Sequence, residues 1–277
     1  MTTNDGAPAE VTRTGVQAID RAVAVLRCFD ARRPELGVRD IARMTGLSTS
    51  TTHRLLAAMQ ANRLVRQTRE RRYGLGPLLV QLARSGAIPT TLHDAAHALM
   101  IRLRDEVDET IGLHELLPTG ERVVVEQAES RQELRRTYTD IGVPIPLPHA
   151  APGRAILAML PLDQQDRVLS RPIDPVTPLT VTDPDVVRRQ LALARRQGWI
   201  ASRSERSLGI CAVAAPIFDH AGLVVGALSL SAPEVRMDDA RAHDLGERIE
   251  AAAWQISETL GATPAAVDMT VERAGGR

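Results

Sequence analysis

The chain has 277 residues, 44% hydrophobic, 25% charged and only 2% aromatic. That is the composition of a globular protein, long enough for two domains, with cores built from aliphatic side chains. No apolar run reaches membrane-span length, and the first ten residues lack the basic-then-apolar layout of a secretory signal. Two distant cysteines, Cys28 and Cys211, read as reduced thiols of a cytoplasmic protein. The net charge of zero hides a split: residues 11–87 carry 14 Arg against 5 acids (+9), residues 1–10 carry −2, and residues 88–277 carry −7. A basic front joined to an acidic rear points to a polyanion-binding domain fused to something else.

In chain order, residues 1–13 read as a disordered leader. Residues 16–30 follow as a helix, with Ile19, Ala22, Val23, Leu26 and Phe29 at three- and four-residue spacing. Pro34 and Gly37 break it. A short helix over 38–44 ends at Gly46, the residue type suited to a left-handed C-terminal turn. Ser48 caps a third helix whose inner face is Thr52, Leu55, Leu56 and Met59. Asn62, just beyond, tolerates a left-handed turn. Residues 64–75 form a hairpin with an arginine-rich tip. Residues 77–91 are a linker, helical to about 87. A long helix spans 92–107.

The rear half alternates. Strands are expected at 110–117 and 122–128, then an irregular proline-punctuated stretch around Pro144, Pro146 and Pro148. Helices follow near Pro152, at 163–170 and at 183–197. Strands at 199–203, 210–218 and 223–231 precede a last amphipathic helix over 238–260 and a flexible tail over 262–277. The layout is α+β, with an antiparallel sheet and appended helices. The domains are expected at 14–76 and 92–261.

The second and third helices make a helix-turn-helix, with Ala42 where they cross and Leu47 and Leu55 beneath. In such a unit the second helix enters the major groove and its first residues meet bases and phosphates. That accounts for the hydroxyl run TGLSTSTTHR. Ser48, Thr49, Ser50 and Thr51 suit phosphate and base contacts, helped by the helix dipole. His53 and Arg54 lie one turn on. Arg66, Arg69, Arg71 and Arg72 make the hairpin a cationic wing.

AIDRAVAVLRCFD, GVRDIARMTGLSTSTTHRLLAAMQANRLVRQ and RRYGLGPLLVQLA resemble the N-terminal winged helix-turn-helix of the isocitrate lyase regulator (IclR) family of bacterial transcription factors. LPHAAPGRAILAMLP, RRQGWIASRSERSLGICAVAAPIFDHAGLVVGALSLSAP and the last helix resemble that family's effector domain. The resemblance covers about residues 16–260. It implies a GAF-like ligand-binding domain, double-stranded operator DNA and a small-molecule effector as partners, and assembly as a homodimer or dimer of dimers.

The residues themselves offer two features for a ligand. Ala151–Pro152–Gly153 opens a helix whose free N–H groups suit an anion. Ser229 and Ser231 lie two apart on one strand and share a face with Ala227, opposite Leu228 and Leu230. The resemblance implies that effector contacts fall on these positions and on Ser202, Ile210 and Ala212. Ser202 stands where the family commonly has Asp, and Ala212 where it commonly has Cys, with Cys211 on the opposite face. These departures remove polar contacts and favour an organic acid with an apolar body.

HDAAH, residues 93–97, sets two histidines on one helical face. With Asp in place of Glu and no third ligand evident, two polar helix residues is the plainer reading, and neither metal nor cofactor is expected. Glu205, near Arg203 and Arg206, reads as a solvated or structural ion pair. No nucleophile–base arrangement or phosphate-binding loop is present. The expected function is a one-component transcriptional regulator and not an enzyme. The alternative is a small-molecule-binding or interaction protein whose winged helix does not bind DNA.

Overall fold

The computed structural model describes residues 16–30, 33–85, 91–138 and 140–275. The chain divides into two compact units between residues 88 and 89. None of the described helices is long and apolar enough to cross a membrane.

The first unit holds α1 (Gln17–Leu26), α2 (Val38–Thr45), α3 (Thr49–Ala61), β1 (Val65–Gln67), β2 (Tyr73–Leu75) and α4 (Pro77–Ala83). Val25, Phe29, Leu36, Ile41, Leu56, Met59, Val65 and Tyr73 form its core. Gly46, in the left-handed region at φ +69°, turns α2 into α3. Asn62, which can tolerate a left-handed turn, does not adopt one; Arg63 does, at φ 59°. The reason is local. The Asn62 amide donates back to the Ala58 carbonyl at 2.9 Å, and the Arg63 carbonyl then accepts from Leu78 N–H at the start of α4. Gly76 passes so close to that carbonyl that a Cβ would lie 2.1 Å from it. The α1 helix stops at Leu26, short of the expected Asp30, with Cys28 and Phe29 continuing into the core as a turn. The predicted leader, and residues 86–90 of the predicted linker, lie outside the described residues.

The second unit begins with α5 (Leu92–Val107), followed by β3 (Thr110–Leu116), β4 (Glu121–Ala128), β5 (Pro144–Pro146), α6 (Ala150–Ala158), α7 (Leu162–Leu169), α8 (Pro184–Gln197), β6 (Ile200–Arg203), β7 (Ile210–Phe218), β8 (Val224–Pro233), α9 (Asp239–Thr259) and α10 (Pro264–Arg273). The six strands form one antiparallel sheet in the order β5-β4-β3-β8-β7-β6. Both faces are covered. Cys211, Val213, Ala215, Leu228 and Leu230 pack with α5 and α9, and Ala212, Ala214 and Ala227 pack with α6, α8 and α10. Alternation along the strands therefore divides two cores, and Cys211 and Ala212 face opposite ways, as period-2 geometry requires.

One expectation is corrected here. Over its described part, residues 262–275, the expected flexible tail is instead packed: α10 buries Val267, Thr270 and Val271 in the α6–α8 core. The Thr270 hydroxyl also donates to the Gly222 carbonyl at 2.6 Å. Thr263 caps this helix and Pro264 occupies its first turn, a start signal present in the sequence. The α5 helix packs inside its own unit, with Ala96, Met100 and Leu103 buried and Leu92, Leu99 and Val107 packed beside them.

Candidate functional site

On the first unit, α3 presents its opening turn to solvent. Ser48 is the cap: its Oγ accepts from Thr51 N–H at 3.2 Å and donates to Thr51 Oγ1 at 2.9 Å. Thr52 is buried and donates to the Ser48 carbonyl at 3.0 Å. The five hydroxyls thus divide. Ser48, Thr51 and Thr52 hold the turn, while Thr49, Ser50, His53 and Arg54 stand exposed.

The wing divides in the same way. Arg66 donates to the Glu35 carboxylate at 3.1 Å, and Arg72 donates to the Glu35 carbonyl at 2.7 Å. These two arginines brace the hairpin against the loop before α2. Leu36 and Tyr73 exchange backbone hydrogen bonds beside them. Arg69 and Arg71 are left exposed at the tip, Arg71 at φ 58°. Glu35 went unnoticed in the sequence because its partners are more than 30 positions away.

On the second unit, a cavity of about 40 Å³ lies between the start of α6, the β6–β7 loop and the sheet. Pro152, Ser202, Ile210, Ala212 and Ser231 line it, as does Ala150. Ala151, Gly153 and Ser229 sit behind that lining. The Ala151 N–H is not free for an anion, since it donates to Ser202 Oγ at 2.9 Å. Gly153 lies against the Leu147 carbonyl, 2.1 Å from where a Cβ would be. Ser229 is fully buried and bonded within the protein.

The polar chemistry of the cavity comes from His114 on β3, Arg122 on β4 and Tyr138, which sequence reading missed, and from Arg206 in the β6–β7 loop, which the sequence suggested only as an ion-pair partner. His114 Nδ1 lies 2.9 Å from Arg122 Nη1, and His114 Nε2 lies 2.9 Å from Ser229 Oγ. A guanidinium only donates, so Nδ1 is the acceptor and Nε2 carries the proton. Burial, then the charges of Arg122 and Arg206, push the His114 pKa well below its ordinary value, so the ring is neutral. Ser229 accepts from it and donates to the Gly112 carbonyl at 3.3 Å. The Tyr138 hydroxyl reaches Ser231 Oγ at 2.9 Å.

Arg122 is 1% exposed, and among the described residues its hydrogen bonds go to His114 and the His149 carbonyl. Among the described residues no carboxylate bonds to it, and its Nε has no hydrogen-bond partner. Burial, then the charge of Arg206, lowers its pKa to about 10, so it remains a cation at neutral pH. Arg206 pairs with Asp140 at the rim. Burial raises the Asp140 pKa, but the charge and hydrogen bond of Arg206 outweigh it and leave it lowered.

Glu205 does not pair with its sequence neighbours. It forms a buried two-pronged salt bridge with Arg154 of α6, one contact at 2.7 Å, while Arg203 pairs with Glu234 and Asp239. The cavity is therefore not poor in polar contacts, as the Ser202 and Ala212 departures suggest. Its charged and aromatic polar groups come from β3, β4, the segment after β4 and the β6–β7 loop, and their balance is cationic.

Residues 89–258 match the bacterial transcriptional regulator IclR C-terminal family, and residues 18–69 match the IclR helix-turn-helix domain. The chain is similar to the HTH-type transcriptional regulator XynR of Escherichia coli, 29% identical over 89% of this chain and 98% of that one. It is 34% identical to the HTH-type transcriptional regulator Rv1719 of Mycobacterium tuberculosis, over 79% of this chain and 82% of that one. Among solved structures, an IclR transcriptional regulator from Silicibacter sp. TM1040 superposes with a TM-score of 0.70 at 30% identity, covering 90% of this chain and 98% of that one. An IclR homologue from Microbacterium hydrocarbonoxydans, solved with 4-hydroxybenzoate, has a TM-score of 0.55 at 28% identity and covers 89% and 100%.

Proposed function

Because the chain belongs to the IclR family of DNA-binding transcriptional regulators and is not an enzyme, we propose specific roles for its two exposed chemistries. Thr49, Ser50, His53 and Arg54 read base edges and phosphates of double-stranded operator DNA in the major groove. Arg69 and Arg71 hold a neighbouring phosphate backbone. Ser48, Thr51, Arg66 and Arg72, counted at first among the DNA contacts, position these groups. The protein acts in the cytoplasm, where its operator is.

The effector is a small organic acid whose carboxylate meets Arg122. The observation that carries this reading is a buried guanidinium with an unused N–H and no bonded carboxylate, beside a neutral histidine. A buried cation with no directly bonded carboxylate, felt by Asp140 only through space while Asp140 pairs with Arg206, is costly, and an incoming carboxylate lowers that cost through a charge-assisted pair. Ile210, Ala212 and Pro152 face the apolar body of the ligand. The 4-hydroxybenzoate of the Microbacterium homologue is an acid of this class. The cavity is far below the roughly 300 Å³ of small-molecule sites, so binding shifts the β6–β7 loop that carries Arg206 and Ser207. A ligand alters DNA affinity only as far as it prefers one conformation over the other.

The protein works as a homodimer or dimer of dimers. Val16, Ile19 and Val23 on and before α1, with Val80 and Leu82 on α4, are exposed apolar residues of the first unit suited to a partner copy. Fluorescence anisotropy on labelled fragments from its own upstream region tests the whole reading. Binding is expected to be salt-sensitive and to respond to simple carboxylic acids. No salt-sensitive binding, or a response only to uncharged ligands, refutes it.

A further inference from the structure

The HDAAH pair acquires in the fold the third ligand that its sequence neighbourhood lacks. His93 and His97 occupy successive turns of α5, their rings stacked 5.7 Å apart. Glu126 comes from β4, where the pairing with β3 skips a residue: Leu113 lies opposite Glu126, but His114 lies opposite Val124. That bulge breaks the alternation of β4. Arg122 faces the cavity and Glu126 faces α5.

The Glu126 Oε1 atom lies 2.5 Å from His97 Nδ1, and its Oε2 atom 3.1 Å from His93 Nε2. One ligand atom from each residue falls within 4.8 Å of the others. Two further observations support a cation there. Glu126 Oε2 is shielded from solvent and, among the described residues, makes no contact of hydrogen-bond geometry, the one to His93 included. On the far side of the His93 ring, Nδ1 lies 3.7 Å from Asp94 Oδ1, where a carboxylate would orient a metal-bound imidazole.

We propose that His93, His97 and Glu126 bind a late first-row divalent cation, Zn²⁺ foremost, separately from the effector cavity. Two imidazoles and a carboxylate suit Zn²⁺, Co²⁺ or Ni²⁺ and do not suit Mg²⁺ or Ca²⁺. Tetrahedral coordination at about 2.0–2.1 Å sets ligand atoms roughly 3.3 Å apart, so His97 and Glu126 move apart by less than an ångström. The side chains of His93 and His97 are 54% and 56% exposed, which leaves the solvent side for a water or an external donor. The ion clips the first turns of α5 to the sheet, on the helix by which the chain enters the second unit.

The test uses full-length protein stripped with chelator and titrated with ZnCl₂ in a calorimeter, with melting followed in parallel. One Zn²⁺ per chain and a raised melting temperature are expected, because a ligand of the folded state alone stabilises it. His97→Ala and Glu126→Gln, each checked for folding by circular dichroism, are expected to weaken binding by at least about 10- to 100-fold. Co²⁺ is expected to give a visible absorption band that both variants lose. Zn²⁺ uptake unchanged in folded variants, no uptake by the parent protein, or a preference for Mg²⁺ overturns the proposal. If Glu126→Gln does not fold, the exposed His93→Ala and His97→Ala decide it.

Discussion

Replacing Arg122 by Met keeps an unbranched apolar stem, shortens it and removes the buried charge. A pKa lowered from 12.5 to about 10 means that charging this side chain in place costs on the order of 3 kcal/mol, at 1.36 kcal/mol per unit. Methionine relieves that cost. It also leaves His114 Nδ1 and the His149 carbonyl without their donor, a loss of about 1–3 kcal/mol for each buried acceptor. The two effects largely offset each other, so stability is expected to change by between about 1 kcal/mol gained and about 3 kcal/mol lost. Breaking a satisfied buried ion pair, by contrast, costs about 3–5 kcal/mol. The Arg154–Glu205 pair, with both partners buried, is the internal comparison, and Arg154→Met is expected to fall in that larger range. Urea melts of both variants give the stabilities, and titration with carboxylic acids gives the function. Arg122→Met is expected to lose its response to acids while keeping its DNA affinity. A loss above about 4 kcal/mol would make Arg122 a structural tie. An intact acid response would mean that the carboxylate binds elsewhere.

Arg69→Ala and Arg71→Ala are each expected to weaken all DNA sequences alike and to reduce the salt slope by about one, while changes at Thr49, Ser50 or His53 alter which sequence is preferred; anisotropy over a salt series separates the two. His114 couples stability to pH. Its folded pKa lies below its unfolded value, so the unfolded chain binds the proton first. Stability is whole above about pH 6.5 and falls by up to roughly 1.4 kcal/mol per unit as pH drops further, and His114→Gln is expected to flatten that slope in urea melts at pH 5 and 7. Ser229→Ala with Ser231→Ala is expected to lower stability by about 1–3 kcal/mol, because these hydroxyls bond within the protein; a variant that keeps its stability but loses the ligand returns them to the ligand. Truncation after Ala262 is expected to lower the melting temperature by several degrees and expose the α6–α8 core, seen as dye binding.

The helix-turn-helix was legible because its causes are local. A glycine at a left-handed turn, a serine cap, an apolar stripe at helical spacing and a short hairpin all act within a few residues of one another. The same holds for the opposite facing of Cys211 and Ala212, which follows from strand periodicity alone. Charge segregation along the chain marked the DNA-facing half before any element was placed. The α10 helix was missed although Thr263–Pro264 announces it, because a run of four partly apolar positions becomes a helix only when a core is there to bury them.

The cavity's chemistry was beyond the sequence for a different reason. His114, Arg122, Tyr138 and Arg206 are ordinary polar residues in strands and loops until antiparallel pairing brings them together and helices on both faces exclude water. Burial makes the imidazole neutral and the guanidinium costly, and burial belongs to the whole fold. Glu126 shows the same dependence at a single position. Period-2 alternation would set it beside Arg122, and one bulge in the β3–β4 pairing delivers it instead to the two histidines of α5.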